Sequence, residues 1–239
     1  MHCRQRSFKP GFQHLPFIFA PMPSLTEENY LKALLQLSAE TGATGVNDLS
    51  KRLGIKMPTV NSMMKRLAEK GLVKYESYQP LQLTEEGQKE AALVLRKHRL
   101  TEMYLVEKMG FGWEEVHEIA EQVEHIQAPR FFQKMDELLN FPTIDPHGSP
   151  IPDKTGKMEW TQYSKLTDCP VGSRVQLVGV THSETDFLKF LNDRELKLGL
   201  QLVVESVESY DGSMVVRYGQ RTGETLSKRV CEQLLVREA

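Results

Sequence analysis

Apolar residues recur at helical intervals up to about residue 140 and in alternating or β-branched runs from about residue 162, with "FPTIDPHGSPIPDKTG" between the two regimes. A segment that buries one stripe every ~3.6 residues does not also bury alternate residues, so the switch separates two kinds of core. The intervening stretch holds four prolines and two glycines in sixteen residues, which rules out regular structure and leaves a tether or an ordered loop. The expected fold class is mainly α with a small β domain.

The helical part opens with "SLTEENYLKALLQLSAE", where Ser24 stands three residues before Glu27 at capping-box spacing and Tyr30, Leu31, Leu34, Leu35 and Leu37 follow at helical intervals. "VNDLSKRLG" is a short helix closed by Gly54; "KMPTVNSMMKRLAEKGLV" is another, with Pro58 in its first turn and Gly71 at its end. "LVKYESYQPLQLT" alternates around Gln79 and Pro80 as a hairpin does. Two short helices across a tight turn and then a hairpin outline a winged helix-turn-helix, whose second helix enters the DNA major groove. The candidate contacts are Lys56, Pro58, Thr59, Asn61, Ser62 and Lys65 on that helix, Arg66 on its flank, and Tyr75, Tyr78 and Gln79 on the wing. The competing reading is the solvated face of an unrelated three-helix bundle. Of Met63 and Met64, one is expected in the core.

Net charge is −2, so any case for nucleic acid must be local. Residues 24–84 hold eight Lys/Arg against six Asp/Glu, and residues 85–140 hold seven against twelve. So modest an excess argues for two copies of the reading unit, hence a homodimer. Cys3, Cys169 and Cys231 are odd in number and far apart, which fits no disulfide framework and makes a reducing, cytoplasmic setting the default. "LPFIFA" is too short for a signal-peptide core or a membrane span; residues 1–23 are expected to be a disordered extension, with Met22 a candidate start.

Thr84 can cap a long helix running to Gly110 and shared with a partner chain; "WEEVHEIAEQVEHI" and "PRFFQKMDELLN" give two more. In a helix His117, Glu121, Glu124 and His125 project to one side. His117 and His125 are then roughly 12 Å apart along the axis at about 1.5 Å per residue, too far for one ion with ligands near ~2.1 Å. Metal here would mean two sites. His98 and Glu102, again four apart, could face His117 from the long helix, giving one set of His98, Glu102 and His117 and a second of Glu121, Glu124 and His125, completed from the first helix. A single His/Glu pair is ordinary surface charge, but six such residues at matched spacing favour ligands. Imidazole and carboxylate without thiolate suit Mn2+ or Fe2+.

With "KHRLTE", "VHEIAEQVEH" and "DPHGSPIP" in that order behind a winged helix and ahead of a barrel, the chain resembles the metal-dependent transcriptional repressors of the diphtheria-toxin-repressor and manganese-transport-regulator family. The resemblance spans residue 24 to about 236, and behind the extension four parts are expected: a winged helix-turn-helix over 24–84, a helical metal-binding and dimerisation domain over 85–140, a Pro-rich linker over 141–161, and an SH3-like, FeoA-type domain over 162–239. It implies a homodimer that, loaded with Mn2+ or Fe2+ at two sites per subunit, binds a palindromic operator of double-stranded DNA near metal-uptake genes. It implies an ancillary site at His98, Glu102 and His117 and a primary site at Glu121, Glu124 and His125, with the variable primary ligand at Asn29, where iron-responsive members carry methionine and manganese-responsive ones aspartate. Glu121 stands where iron-type members carry cysteine, and Lys32 stands where two-domain manganese regulators carry a glutamate. The two barrel ligands of iron-type members fall on Gly179 and His182, of which His182 alone can coordinate.

Neither a membrane nor a small-molecule substrate is expected as a partner. The rival readings are a two-metal hydrolase built on the same His/Glu set, and a winged-helix regulator indifferent to metal. No phosphate loop, nucleophile elbow or HExxH motif is present. Phe131, Phe132, Leu138 and Leu139 read as bundle or dimer core, Trp113 as a cap on the dimer helix, and Trp160 as a seat for the linker.

Overall fold

Ser24 starts α1 (Leu25–Thr41): its hydroxyl accepts the Glu27 N–H at 3.4 Å, the Glu27 carboxylate accepts the Ser24 N–H at 2.7 Å, and Gly42 ends the helix. The computed structural model describes residues 23–159 and 161–239; the expectations for the N-terminal extension and for Trp160 lie outside them. After α2 (Val46–Leu53) and α3 (Met57–Glu69), strands β1 (Val73–Lys74) and β2 (Gln82–Leu83) pair antiparallel with Val73 opposite Leu83. Leu31, Leu34, Leu49, Val60, Met64 and Leu67 close the core between these elements. Each such side chain contributes about 1.5–3 kcal/mol of burial. Met64 is inside and Met63 half-buried against it, dividing that pair as expected.

Thr84 caps α4 (Glu85–Met109), its hydroxyl accepting the Gly87 N–H at 3.0 Å and donating to the Gly71 carbonyl at 2.7 Å. This joins the winged unit to the helical body, which continues through α5 (His117–Val123) and α6 (Pro129–Leu138). The helix expected over 113–126 is shorter. Residues 112–115 turn instead, with the Glu115 N–H on the Gly112 carbonyl at 3.0 Å and the Glu115 carboxylate on the Gly112 N–H at 2.8 Å. At the far end the Ile126 N–H donates to the Val123 carbonyl at 3.0 Å, a three-residue return that tightens and ends the helix. Glu124 is therefore its C-cap and His125 lies past it.

The Pro-rich segment is an ordered loop rather than a tether. Asp145 Oδ1 accepts the His147 and Ser149 N–H groups, both at 2.9 Å, and Arg96 and Arg99 of α4 donate to the Pro152 and Pro150 carbonyls. Beyond it come β3 (Ser164–Lys165), a 3-10 turn, β4 (Arg174–Val180), α7 (Thr185–Asp193), β5 (Gln201–Val207), β6 (Met214–Tyr218), β7 (Arg221–Leu226), α8 (Lys228–Cys231) and β8 (Leu234–Glu238). The sheet order is β3-β8-β4-β5-β6-β7, every pair antiparallel, around Leu177, Leu202, Val204, Val216 and Val236.

The loop pairs with the barrel through the Val180 N–H, which donates to the His147 carbonyl at 3.0 Å. At Gly148, with φ 89°, a Cβ would lie 2.2 Å from the Val178 carbonyl oxygen, so glycine alone passes there. Trp113 stacks on His147 with ring centroids 5.9 Å apart and donates its indole N–H to Asn192 at 2.7 Å. It seals the junction of body and barrel rather than capping a dimer helix. Phe132 is buried, whereas Phe131 and Leu138 are exposed.

Candidate metal centre

The helical period of α4 stacks His98 one turn before Glu102, and α5 brings His117 opposite them. His98 Nε2 lies 3.0 Å and His117 Nδ1 3.4 Å from the same Glu102 oxygen, and the two imidazoles meet edge to face at 5.0 Å. His98, Glu102 and His117 each present one donor atom within 4.8 Å of one another. The long helix and the 117-centred helix therefore converge as the sequence reading expected.

The second expected set is rearranged. Glu121 and Glu124 gather around His98, whose Nδ1 donates to Glu124 Oε2 at 2.6 Å, and these three form another group of donors within 4.8 Å. His125, beyond the end of α5, turns to α1, where its Nδ1 donates to Glu28 Oε2 at 2.6 Å; Gln127 donates to the other Glu28 oxygen at 3.0 Å. The helix ends at Val123, three residues short of the expected 126, so His125 leaves the helical register; its Nε2 still lies 3.6 Å from Glu124 Oε1, and Glu121 is the member of the expected trio that it does not meet. Into the space between Glu121 and Glu124 comes Lys32 of α1, its ammonium 2.7 Å from Glu121 Oε1 and 2.7 and 2.8 Å from the two Glu124 oxygens.

A third group was missed: Glu102, Asp145 and His147, all buried. His147 Nε2–H donates to the Trp113 carbonyl at 2.9 Å, which leaves Nδ1 facing Glu102 Oε2 at 3.8 Å. A backbone partner of this kind sets the tautomer of a ligating histidine. The signal was available in "DPHG", a histidine held between proline and glycine. His182 is not brought to any of these groups; it is exposed in the turn between β4 and α7.

Burial is deep: His98 is 4% exposed, Glu102 3% and Glu124 0%. Burial alone would lower the His98 pKa, but Glu102 and Glu124 outweigh it and hold it at about 9. Both ring nitrogens face carboxylates, the arrangement of an imidazolium. Burial would raise the Glu102 carboxyl, yet His98, His117 and His147 hold it well below the usual carboxylate range. Glu121 is also pushed up by burial and brought below its ordinary value by Lys32.

These residues fit a divalent ion on two observations. The donors are imidazoles and carboxylates with no thiolate in any group among the described residues. The Asn29 side-chain oxygen, one turn before Lys32 on the same face of α1, is buried with no hydrogen-bond partner.

On the reading head, Lys56 at the N-cap of α3 and Pro58, Thr59, Ser62 and Lys65 within it are exposed, as are Tyr78 and Gln79 at the hairpin tip, where Tyr78 has φ 66°. Asn61 is half-buried and accepts the Tyr75 hydroxyl at 3.1 Å, which ties helix to wing. Arg66 turns back to Glu27 at 2.9 Å.

Residues 84–153 match the model described as iron dependent repressor, metal binding and dimerisation domain; residues 23–81 match its N-terminal DNA binding domain, and residues 164–238 the FeoA domain. The chain is 31% identical over 207 residues to the iron-dependent repressor IdeR of Mycobacterium tuberculosis, covering 80% of this chain and 88% of that one. It is 29% identical over 215 residues to the diphtheria toxin repressor of Corynebacterium diphtheriae, covering 84% and 92%. A solved manganese-dependent transcriptional repressor in complex with manganese is 28% identical, with a TM-score of 0.79 over 89% of this chain and 100% of that one. The relatives are repressors rather than enzymes, which removes the hydrolase reading. A winged helix, a helical body carrying buried imidazole and carboxylate donors, and an SH3-like barrel in this order place the chain in the iron-dependent repressor family of metal-dependent, DNA-binding transcriptional repressors.

Proposed function

We propose that this repressor senses Mn2+ or Fe2+ through the buried polar strip between α4 and α5, and that loading raises its affinity for a palindromic operator. The observation that carries the reading is the convergence of His98, Glu102 and His117 from two helices onto one small volume. His98 and Glu102 would hold the ion from α4 and His117 from α5, with Glu121, Glu124 and His147 adjoining. When bound, the ion supplies divalent positive charge that imidazoles and carboxylates of both helices share.

The rest belongs to the chain. α1 is part of the reading head, yet its Glu28 and Lys32 bond residues at the end of α5. Any shift of α5 against α4 is thus passed to the head and changes the angle of α3. The coupling is one of populations: loading favours DNA binding only so far as the DNA-competent arrangement holds the ion more tightly than the loose one. Phe131, Leu138, Phe141 and Ile144 form exposed apolar surface on and beyond α6, supporting a second copy as partner. A two-fold dimer sets its recognition helices about 34 Å apart, one turn of DNA, hence the palindrome. Lys56 and Lys65 would neutralise phosphates, Thr59, Asn61 and Ser62 would face the groove, and Tyr78 and Gln79 would follow the backbone with the wing. The described helices include none long and apolar enough to cross a membrane. A repressor acting on a chromosomal operator would work in the cytoplasm.

The test is an operator gel shift across Mn2+, Fe2+, Zn2+ and chelator, on the natural chain and on Glu102→Gln. The expected result is Mn2+- or Fe2+-dependent binding that the variant loses while its far-ultraviolet circular dichroism is unchanged. Binding indifferent to chelator would leave a metal-independent regulator in its place.

A further inference from the structure

Among the described residues, the groups that adjoin the expected second ion position include one that no ligand set accounts for: a buried ammonium. We propose that Lys32 is a built-in cation that permanently fills the position between Glu121 and Glu124, so that each subunit takes one divalent ion and not two. The inference deepens the metal-sensing reading and rests on it.

Lys32 is 7% exposed at its side chain and Glu124 0%, and the ammonium bonds Glu121 Oε1 and both Glu124 oxygens at 2.7, 2.7 and 2.8 Å. An ammonium has three N–H donors, and here each has a carboxylate oxygen to receive it. Such an ion and a divalent metal compete for the same oxygens, because metal–oxygen bonds near ~2.1 Å leave no room for a donor on the same lone pairs. Eviction would take a buried positive charge off all three of its carboxylate acceptors, a strongly unfavourable state. The groups next to it are also engaged. His125 lies between two carboxylates, its Nδ1 bonded to Glu28 at 2.6 Å and its Nε2 3.6 Å from Glu124 Oε1. His98, Glu102 and His117 remain for the single ion, with His147 alongside.

A second consequence follows from which helices the ammonium joins. Lys32 belongs to α1 in the reading head and its partners to the end of α5 in the body. The tie between head and body therefore exists before any ion binds, and ion loading adjusts α5 rather than creating the tie.

The experiment uses the full chain, with Lys32→Gln, which removes the charge, and Lys32→Glu, which adds a carboxylate. Bound Mn2+ per subunit is counted by equilibrium dialysis with elemental analysis, and paramagnetic resonance reads whether neighbouring Mn2+ ions are coupled. The expected result is one ion in the natural chain and two in Lys32→Glu, the latter with a coupled-pair spectrum. Lys32→Gln is expected to melt at a lower temperature than the natural chain without metal and to recover on adding Mn2+, a readout that holds if it is too unstable for dialysis. Two ions per natural subunit, or a count and spectrum unchanged in Lys32→Glu, would overturn the proposal while leaving metal sensing intact. No ion bound by the natural chain or by either variant would overturn both.

Discussion

Gly87 sits in the first turn of α4, and two physical effects disagree about replacing it with alanine. Helix propensity favours alanine by at most about 1 kcal/mol at such a position. Space opposes it: a Cβ on Gly87 would lie 1.9 Å from the Leu72 carbonyl oxygen and 2.9 Å from its carbon, both backbone atoms that no rotamer change can move aside. Relieving the overlap means sliding α4 away from the hairpin by more than 1 Å, on the order of the gap to an ordinary contact. Overpacking of this kind costs about 1–3 kcal/mol. The same carbonyl accepts the Thr84 N–H at 3.1 Å, and losing that bond adds about 1 kcal/mol. Sterics win, and Gly87→Ala is expected to destabilise the chain by roughly 1–3 kcal/mol in urea unfolding, net of the propensity gain. Because the contact joins head to body, operator affinity should fall more steeply than Mn2+ affinity, measured by fluorescence anisotropy and calorimetry on the same sample. A variant as stable as the natural chain or more so would refute the reasoning, because propensity would then have outweighed the close approach.

Mn2+ affinity should rise with pH. His98, held at about 9 against an ordinary 6.5, must give up its proton to coordinate, so the apparent association constant gains about tenfold per pH unit below that value and levels above it. The sign for stability is opposite: the raised pKa stabilises the ion-free fold fully below 6.5, and this contribution is lost as pH rises through about 9, which melting curves across that window would detect. Gly148→Ala, forced into the left-handed region and against the Val178 carbonyl, should loosen the barrel and speed proteolytic cleavage within the 141–161 loop, with reading-head stability unchanged. Lys65→Ala should weaken binding to all DNA sequences alike and reduce the salt dependence of log K by about one unit of slope, whereas Thr59→Ala should lower specificity with little change in slope.

Local rules make much of this protein legible in its sequence. The capping box at Ser24 and Glu27, the proline in the first turn of α3, the glycines that end α1 and α2, and the change of apolar period at the Pro-rich segment each act within a few residues, so they can be read directly from order along the chain. The same holds for His98 and Glu102, which one helical turn places together whatever surrounds them. That proximity, and the domain order, were determined by the sequence by itself.

What only the tertiary structure decided lies between elements. The early end of α5 turns His125 so that its Nδ1 meets Glu28 of α1 while its Nε2 stays 3.6 Å from Glu124 and away from Glu121, because a turn at either end of the helix satisfies backbone groups more locally than another helical turn would. Lys32, 89 residues from Glu121, enters the carboxylates because α1 packs along α4 at the depth where its ammonium reaches them. His147 joins the polar strip because Arg96 and Arg99 hold the loop's carbonyls and glycine at 148 lets the loop touch β4. Charges placed by different segments depend on distances that no periodicity encodes, so which cation stands between two carboxylates is settled by packing.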